Sequence, residues 1–267
     1  MAYNGLYEIY VARPDRPEVR QCVSKMLELQ PNLAEAHAAL GYLGFLDWKW
    51  LSAEPHFLRA IELNPKCAIA HTRYGFCLVH AGCADDGYRE LSAAEYLNPA
   101  SPRIKKNLGH VYYIKRRFRE AIAQYQKAID VEPSYPTSHA FMGQAHRALG
   151  DFPTGVDEME KFDLAVYADK AAIHRQYEEL RRAYADGGPR AYWLKQRDHG
   201  EQKTNLYWQA QATAHLDEYP RSLELLESHY ATNKLESLES LLFDECWDPV
   251  HTDPRFVALL KLTGLRQ

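Results

Sequence analysis

The 267-residue chain has no uninterrupted apolar stretch near the roughly 18 residues that a membrane-spanning helix requires. Its first ten residues hold no positive cluster followed by an apolar run, so no secretory leader is read there. These absences predict a soluble, cytoplasmic protein that does not engage a membrane. A basic excess is also missing: 32 Lys plus Arg against 36 Asp plus Glu leave a net charge of −4. That lacks the electrostatic footprint of a nucleic-acid binder, and no direct nucleic-acid binding is expected. Cysteine is scarce, with Cys22, Cys67, Cys77, Cys83 and Cys246 scattered and no Cys-x-x-Cys pair. Zinc-ribbon and thioredoxin-like chemistry are thereby disfavoured, and the five are read as reduced thiols, mostly small core residues. No Gly-x-Ser-x-Gly elbow, phosphate-cradling glycine loop, His-Glu-x-x-His pair or kinase signature occurs, so the expectation is a non-enzyme without cofactor or metal.

What is present is a repeat. Apolar residues make up 46% and charged residues 25%, the balance of a folded chain. Pro31, Pro65, Pro99 and Pro133 are each thirty-four residues apart, and Gly41, Gly75, Gly109 and Gly143 keep the same step. The residues ahead of the prolines, such as Ile61-Glu62-Leu63-Asn64 and Ile129-Asp130-Val131-Glu132, read as one recurring helix ending. Proline stops a helix there because it lacks an N–H and disfavours helical geometry in the preceding residue.

A thirty-four-residue unit of this pattern resembles the tetratricopeptide repeat, a helix–turn–helix unit. The resemblance covers residues 34–169 as four consecutive units, 34–67, 68–101, 102–135 and 136–169. It implies an all-α, right-handed superhelical solenoid of antiparallel helix pairs. The family's eighth position is the glycine ladder, its twentieth falls on Ala53, Gly87, Ala121 and Gly155, and its twenty-seventh on Ala60, Ala94 and Ala128 before failing at Phe162. Small residues are needed where the two helices of a unit cross. Gly82 and Gly150 supply left-handed backbone in the turns, and Trp50, Phe118 and Phe152 fill the aromatic site after them. The third unit departs there with Arg116, and the first replaces the turn with Asp47-Trp48-Lys49-Trp50.

Residues 1–33 read as an amino-terminal segment followed by a partial repeat, with a helix over 17–30, that caps the array. Residues 170–267 read as degenerate helical pairs: helical spacing stops at Gly187-Gly188-Pro189 and resumes, residues 206–216 form another helix, and 223–230 the next. A capping helix follows, with Asp253 at its N-cap, Pro254 in its first position and Gly264 at its end. Asp47-Trp48-Lys49-Trp50, Gly187-Gly188-Pro189-Arg190-Ala191-Tyr192-Trp193 and Asp253-Pro254-Arg255-Phe256 also resemble the carboxy-terminal repeat regions of bacterial signalling and transcription regulators. In those, the repeats follow a winged-helix, TolB-like, adenylate cyclase or kinase domain.

His37, His71 and His139 recur at the fourth repeat position. Successive first helices lie roughly 10 Å apart, too far for ligands that sit about 2 Å from a shared ion. They are read as packing residues with a satisfied ring nitrogen.

The resemblance implies a concave groove lined by the second, fifth, ninth and twelfth positions of each unit. These are Glu35, Ala38, Tyr42 and Phe45, then Ile69, Thr72, Phe76 and Val79, an apolar and aromatic half. They continue with Arg103, Lys106, His110 and Tyr113, then Thr137, Ala140, Gln144 and Arg147, with Asn107 alongside, a basic and polar half. The expected partner is a peptide or helix with an apolar anchor and an acidic flank. Alternatives are a scaffold whose groove holds the chain's own amino-terminal segment (Tyr3, Leu6, Tyr7, Tyr10) or a second copy, and an accessory domain binding a small ligand. The carboxylate clamp for chaperone tails is disfavoured. Its sites fall on Ala38, Tyr42, Arg73, Arg103 and Asn107, or on Thr72, Phe76, Asn107, Thr137 and Phe141, with one fitting residue in each set.

Overall fold

The computed structural model describes residues 17–47, 49–232, 241 and 244–261. Among these, all regular structure is helical. The helices are α1 (Pro17–Leu29), α2 (Ala34–Leu46), α3 (Trp50–Leu63), α4 (Ala68–His80), α5 (Ala84–Leu97), α6 (Pro102–Ile114), α7 (Phe118–Val131), α8 (Pro136–Ala148) and α9 (Phe152–Val166). After them come α10 (Lys170–Gln202), α11 (Leu206–His215), α12 (Tyr219–Thr232), a 3₁₀ helix (Glu245–Val250) and α13 (Pro254–Lys261).

The proline ladder acts as expected. Helices α3, α5 and α7 stop two residues before Pro65, Pro99 and Pro133, and the pre-proline residues Asn64, Asn98 and Glu132 are extended, with φ near −145°, −144° and −142°. The proline ring excludes helical backbone at that residue, so all three chains leave their helices in the same direction.

The glycine ladder marks the helix crossings. A Cβ on Gly75 would stand 3.0 Å from the Gly87 carbonyl oxygen, and one on Gly143 2.7 Å from that of Gly155. Gly41 faces the Phe57 ring at 2.9 Å instead. Ala60, Ala94 and Ala128 are fully buried, and Phe162, where that ladder fails, is half-buried. Gly82 and Gly150 occupy the left-handed region at φ +83° and +82°. Arg116, in the same place of the third unit, adopts φ +58°, so the turn geometry persists where its usual residue is lost. Trp48 and Gly264 lie outside the described residues.

The described residues divide by packing into two compact units, one up to Val111 and one from Tyr112 on. In the first, Val19 and Val23 of α1 pack on Ala39 and Leu43 of α2, and a second cluster gathers Phe45, Trp50, Phe57, Tyr74 and Leu78. The largest cluster of the second unit joins Phe152 and Val156 of α9 to Ile173, Tyr177, Leu180, Tyr192 and Trp193 of α10. Helix α10 is broken at Gly187 and at Gly188, whose φ of +65° and ψ of −156° only glycine adopts readily. The break lets its two halves pack on each other, with Phe152 stacked on Tyr184 of the first half and edge-on to Tyr192 of the second. The Asp253 carboxylate accepts the Arg255 N–H at 2.8 Å at the start of α13.

Candidate functional site

In the first unit, the first helices of successive repeats bring several expected groove residues together. Phe76 meets Tyr42 and Phe45 edge-on at 6.4 and 6.2 Å between centroids, and contacts His80, which stacks on His110 at 5.1 Å. The Lys106 ammonium lies over the Phe76 ring at 5.4 Å and the Arg73 guanidinium over the Tyr42 ring at 5.6 Å. This is an aromatic patch with cations on its faces, the arrangement in which ring quadrupoles and positive charge attract. Burial, with Arg103 beside it, pushes the Lys106 ammonium down to about 7. Burial, with Lys106 beside it, holds His110 at about 3, and burial lowers His80 in the same way. Arg103 is the exposed cation of the set.

Four expected lining residues are engaged in packing instead. Val79 is 2% exposed with a methyl turned onto Gly87, so it fills a helix crossing. The Thr72 hydroxyl donates to the Ala68 carbonyl at 2.7 Å and is buried. Ile69 packs against Ala34, Ala38 and Ala60. Asn107 is buried at 3% exposure. The repeat assigns positions by helical phase alone, whereas burial depends on which neighbour is small enough to admit the side chain.

In the second unit, Tyr113, Gln144 and Arg147 line a cavity of about 230 Å³. Ala148 and Phe152 add to this wall, and the other side comes from outside the repeats: Trp193 of α10, Gln211 and His215 of α11, and Asp244 and Glu245 at the 3₁₀ helix. The Arg147 guanidinium donates to the Tyr192 hydroxyl at 3.0 Å and lies 5.1 Å over the Trp193 ring. Tyr113 donates to the Glu245 carboxylate at 2.9 Å, and Arg116 pairs with Asp248. The basic ends of α6 and α8 are thus met by an acidic segment of the same chain. Burial, then Asp244, raises the Glu245 carboxyl, and burial holds His215 at about 4, a neutral imidazole at physiological pH. These wall residues have no repeat spacing, and no sequence signal joins them to α6 and α8.

The repeat histidines fasten turns. His37 and His71 each set Nε2 3.0 Å from the carbonyl of the proline six residues earlier. Nδ1 of His71 and of His139 faces Glu90 and Glu158 at 2.7 and 2.6 Å.

The fold and these faces define a helix-pair repeat protein of the solenoid class. Residues 109–150 match the family model described as TPR repeat. The chain is 23% identical over 191 residues, 66% of its length, to a DnaJ homolog subfamily C member 7 homolog of Schizosaccharomyces pombe. It is 24% identical over 104 residues, 39% of its length, to Hsp70-Hsp90 organizing protein 2 of Arabidopsis thaliana. It spans 39% of the first relative and 18% of the second. A solved structure of Pseudomonas aeruginosa pilF superposes with a TM-score of 0.53 at 20% identity, over 86% of this chain and 96% of that one. No helix among the described residues is long and apolar enough to cross a membrane.

Proposed function

We propose that the chain is a non-enzymatic protein-interaction module that takes a peptide or helix of a partner on the aromatic and cationic face of its first unit. The observation that carries this is the half-buried Tyr42 and Phe76 rings, packed on buried Phe45, with half-buried Lys106 over Phe76 and Arg103 exposed beside it, Arg73 being buried over Tyr42. Aromatic surface supplies anchoring area and guanidinium groups grip carboxylates, so the partner segment has an apolar anchor and an acidic flank. A relative named as an Hsp70-Hsp90 organizing protein supports a role in bringing proteins together. The clamp positions occupied here by Ala38, Tyr42 and Phe76 argue against a chaperone tail as the ligand. The three regulator-like segments favour a cytoplasmic adaptor of bacterial signalling or transcription regulation that touches neither nucleic acid nor membrane. Our division into a cap (1–33), four repeats (34–169) and degenerate pairs with a capping helix (170–267) belongs to the same reading.

The test is fluorescence anisotropy with a labelled synthetic peptide carrying one Trp followed by four Glu residues. Binding that weakens with added salt and at least about tenfold in the Arg103→Glu, Lys106→Glu double variant supports the reading. Salt-independent binding that survives the double reversal refutes it. A gain of affinity when residues 1–16, outside the described residues, are removed would favour a self-filled face. Mass that rises with concentration would favour a second copy as the occupant.

A further inference from the structure

We propose that His215, Asp244 and Cys246 form a binding site for a divalent cation of the zinc class, which pins the 3₁₀ segment to α11. One ligand atom from each of the three lies within 4.8 Å of the other two. His215 Nε2 and Asp244 Oδ1 are 3.8 Å apart, too long for a hydrogen bond. Ligands about 2.0–2.3 Å from a tetrahedral zinc are roughly 3.3–3.7 Å apart, so the triad closes on an ion with side-chain movement of about an ångström. Imidazole, carboxylate and thiolate are the three donor types that zinc takes.

The donors are held from behind. The His215 ring stacks on Trp193 at 3.7 Å between centroids and 8° between planes. Gln211, one helical turn before His215 on α11, donates to Asp244, whose other oxygen accepts the Cys246 N–H at 3.2 Å. Orienting contacts of this kind fix ligand geometry around a metal. Three protein ligands leave a fourth position, and His215 and Asp244 form part of the cavity wall, which has room there for water or a further donor. Binding expels one proton, from the Cys246 thiol to solvent, and the resulting thiolate with the Asp244 carboxylate neutralises the dication beside Arg147. The site lies outside the proposed partner face and does not depend on it.

The experiment titrates chelator-treated full chain with cobalt(II) under a non-thiol reductant and follows absorbance. The expected result is a near-ultraviolet thiolate-to-cobalt band that saturates at one equivalent and is displaced by zinc. It should vanish in Cys246→Ser, and cobalt should bind at least about tenfold more weakly in His215→Gln, with helical circular dichroism retained in both. Wild-type protein without the band overturns the proposal, since three side chains that hold no metal leave the Cys246 thiol protonated. A band that persists in Cys246→Ser also overturns it. Because wild type is decisive by itself, a variant that failed to fold would not rescue the idea.

Discussion

His71 shows how much one side chain settles. Both ring nitrogens face acceptors, Glu90 at 2.7 Å and the Pro65 carbonyl at 3.0 Å, so the doubly protonated ring satisfies both. The hydrogen bond to Glu90 raises its pKa above the ordinary value against the opposing effect of burial. A raised folded-state value means that the stabilisation is full below the unfolded value, about 6.5, and is lost as pH rises through the folded one. His71→Gln should therefore cost about 1.5–3 kcal/mol at acidic pH and less at alkaline pH, measured by urea unfolding across that window. A cost independent of pH would show that the ring is neutral. Gly150 makes a different point: nothing lies within 4 Å of a Cβ built there, yet its φ is +82°. Gly150→Ala should lower stability by about 1 kcal/mol through backbone strain alone, and an unchanged melting temperature would contradict that. Arg116 holds a comparable backbone at φ +58° without being glycine. That is why its turn was not legible as a member of the ladder.

At the scale of elements, periodicity revealed what depends on local backbone. The proline stops, the crossing glycines and the break at Gly187-Gly188-Pro189 each follow from steric rules that act within a few residues. A Cβ on Gly143 would stand 2.7 Å from the Gly155 carbonyl oxygen and 2.6 Å from Met159 Cγ. Gly143→Leu should cost about 1–3 kcal/mol by forcing α8 from α9, read as a lower denaturant midpoint. Gly188→Ala should lower the midpoint too, because its φ of +65° with ψ of −156° is strained for any residue with a Cβ, although nothing lies within 4 Å of one built there. Wild-type midpoints in these variants would remove the crossing and the break from the account. The cavity was not legible in advance. Trp193, Gln211, His215 and Asp244 lie in the aperiodic last hundred residues, and only tertiary packing brings them to Tyr113 and Arg147. Val79 erred in the opposite direction. Its helical phase suits a groove, but Gly87 opens a space into which it sinks.

For the whole molecule, a net charge of −4 leaves cations local, at Arg73, Arg103 and Lys106 in one unit and at Arg116 and Arg147 in the other. In the second unit those cations are met by the chain itself, through Asp248 at Arg116 and through Tyr192 at Arg147. The proposed acidic flank of a partner is read at the first unit because Arg103 there is exposed. The most direct test of that claim is hydrogen exchange of the full chain with and without the Trp–Glu peptide. The account predicts peptide-dependent protection in α2, α4 and the first turns of α6, with α3 and α5 unchanged. Protection confined to α3 and α5, or to residues after 112, would contradict it.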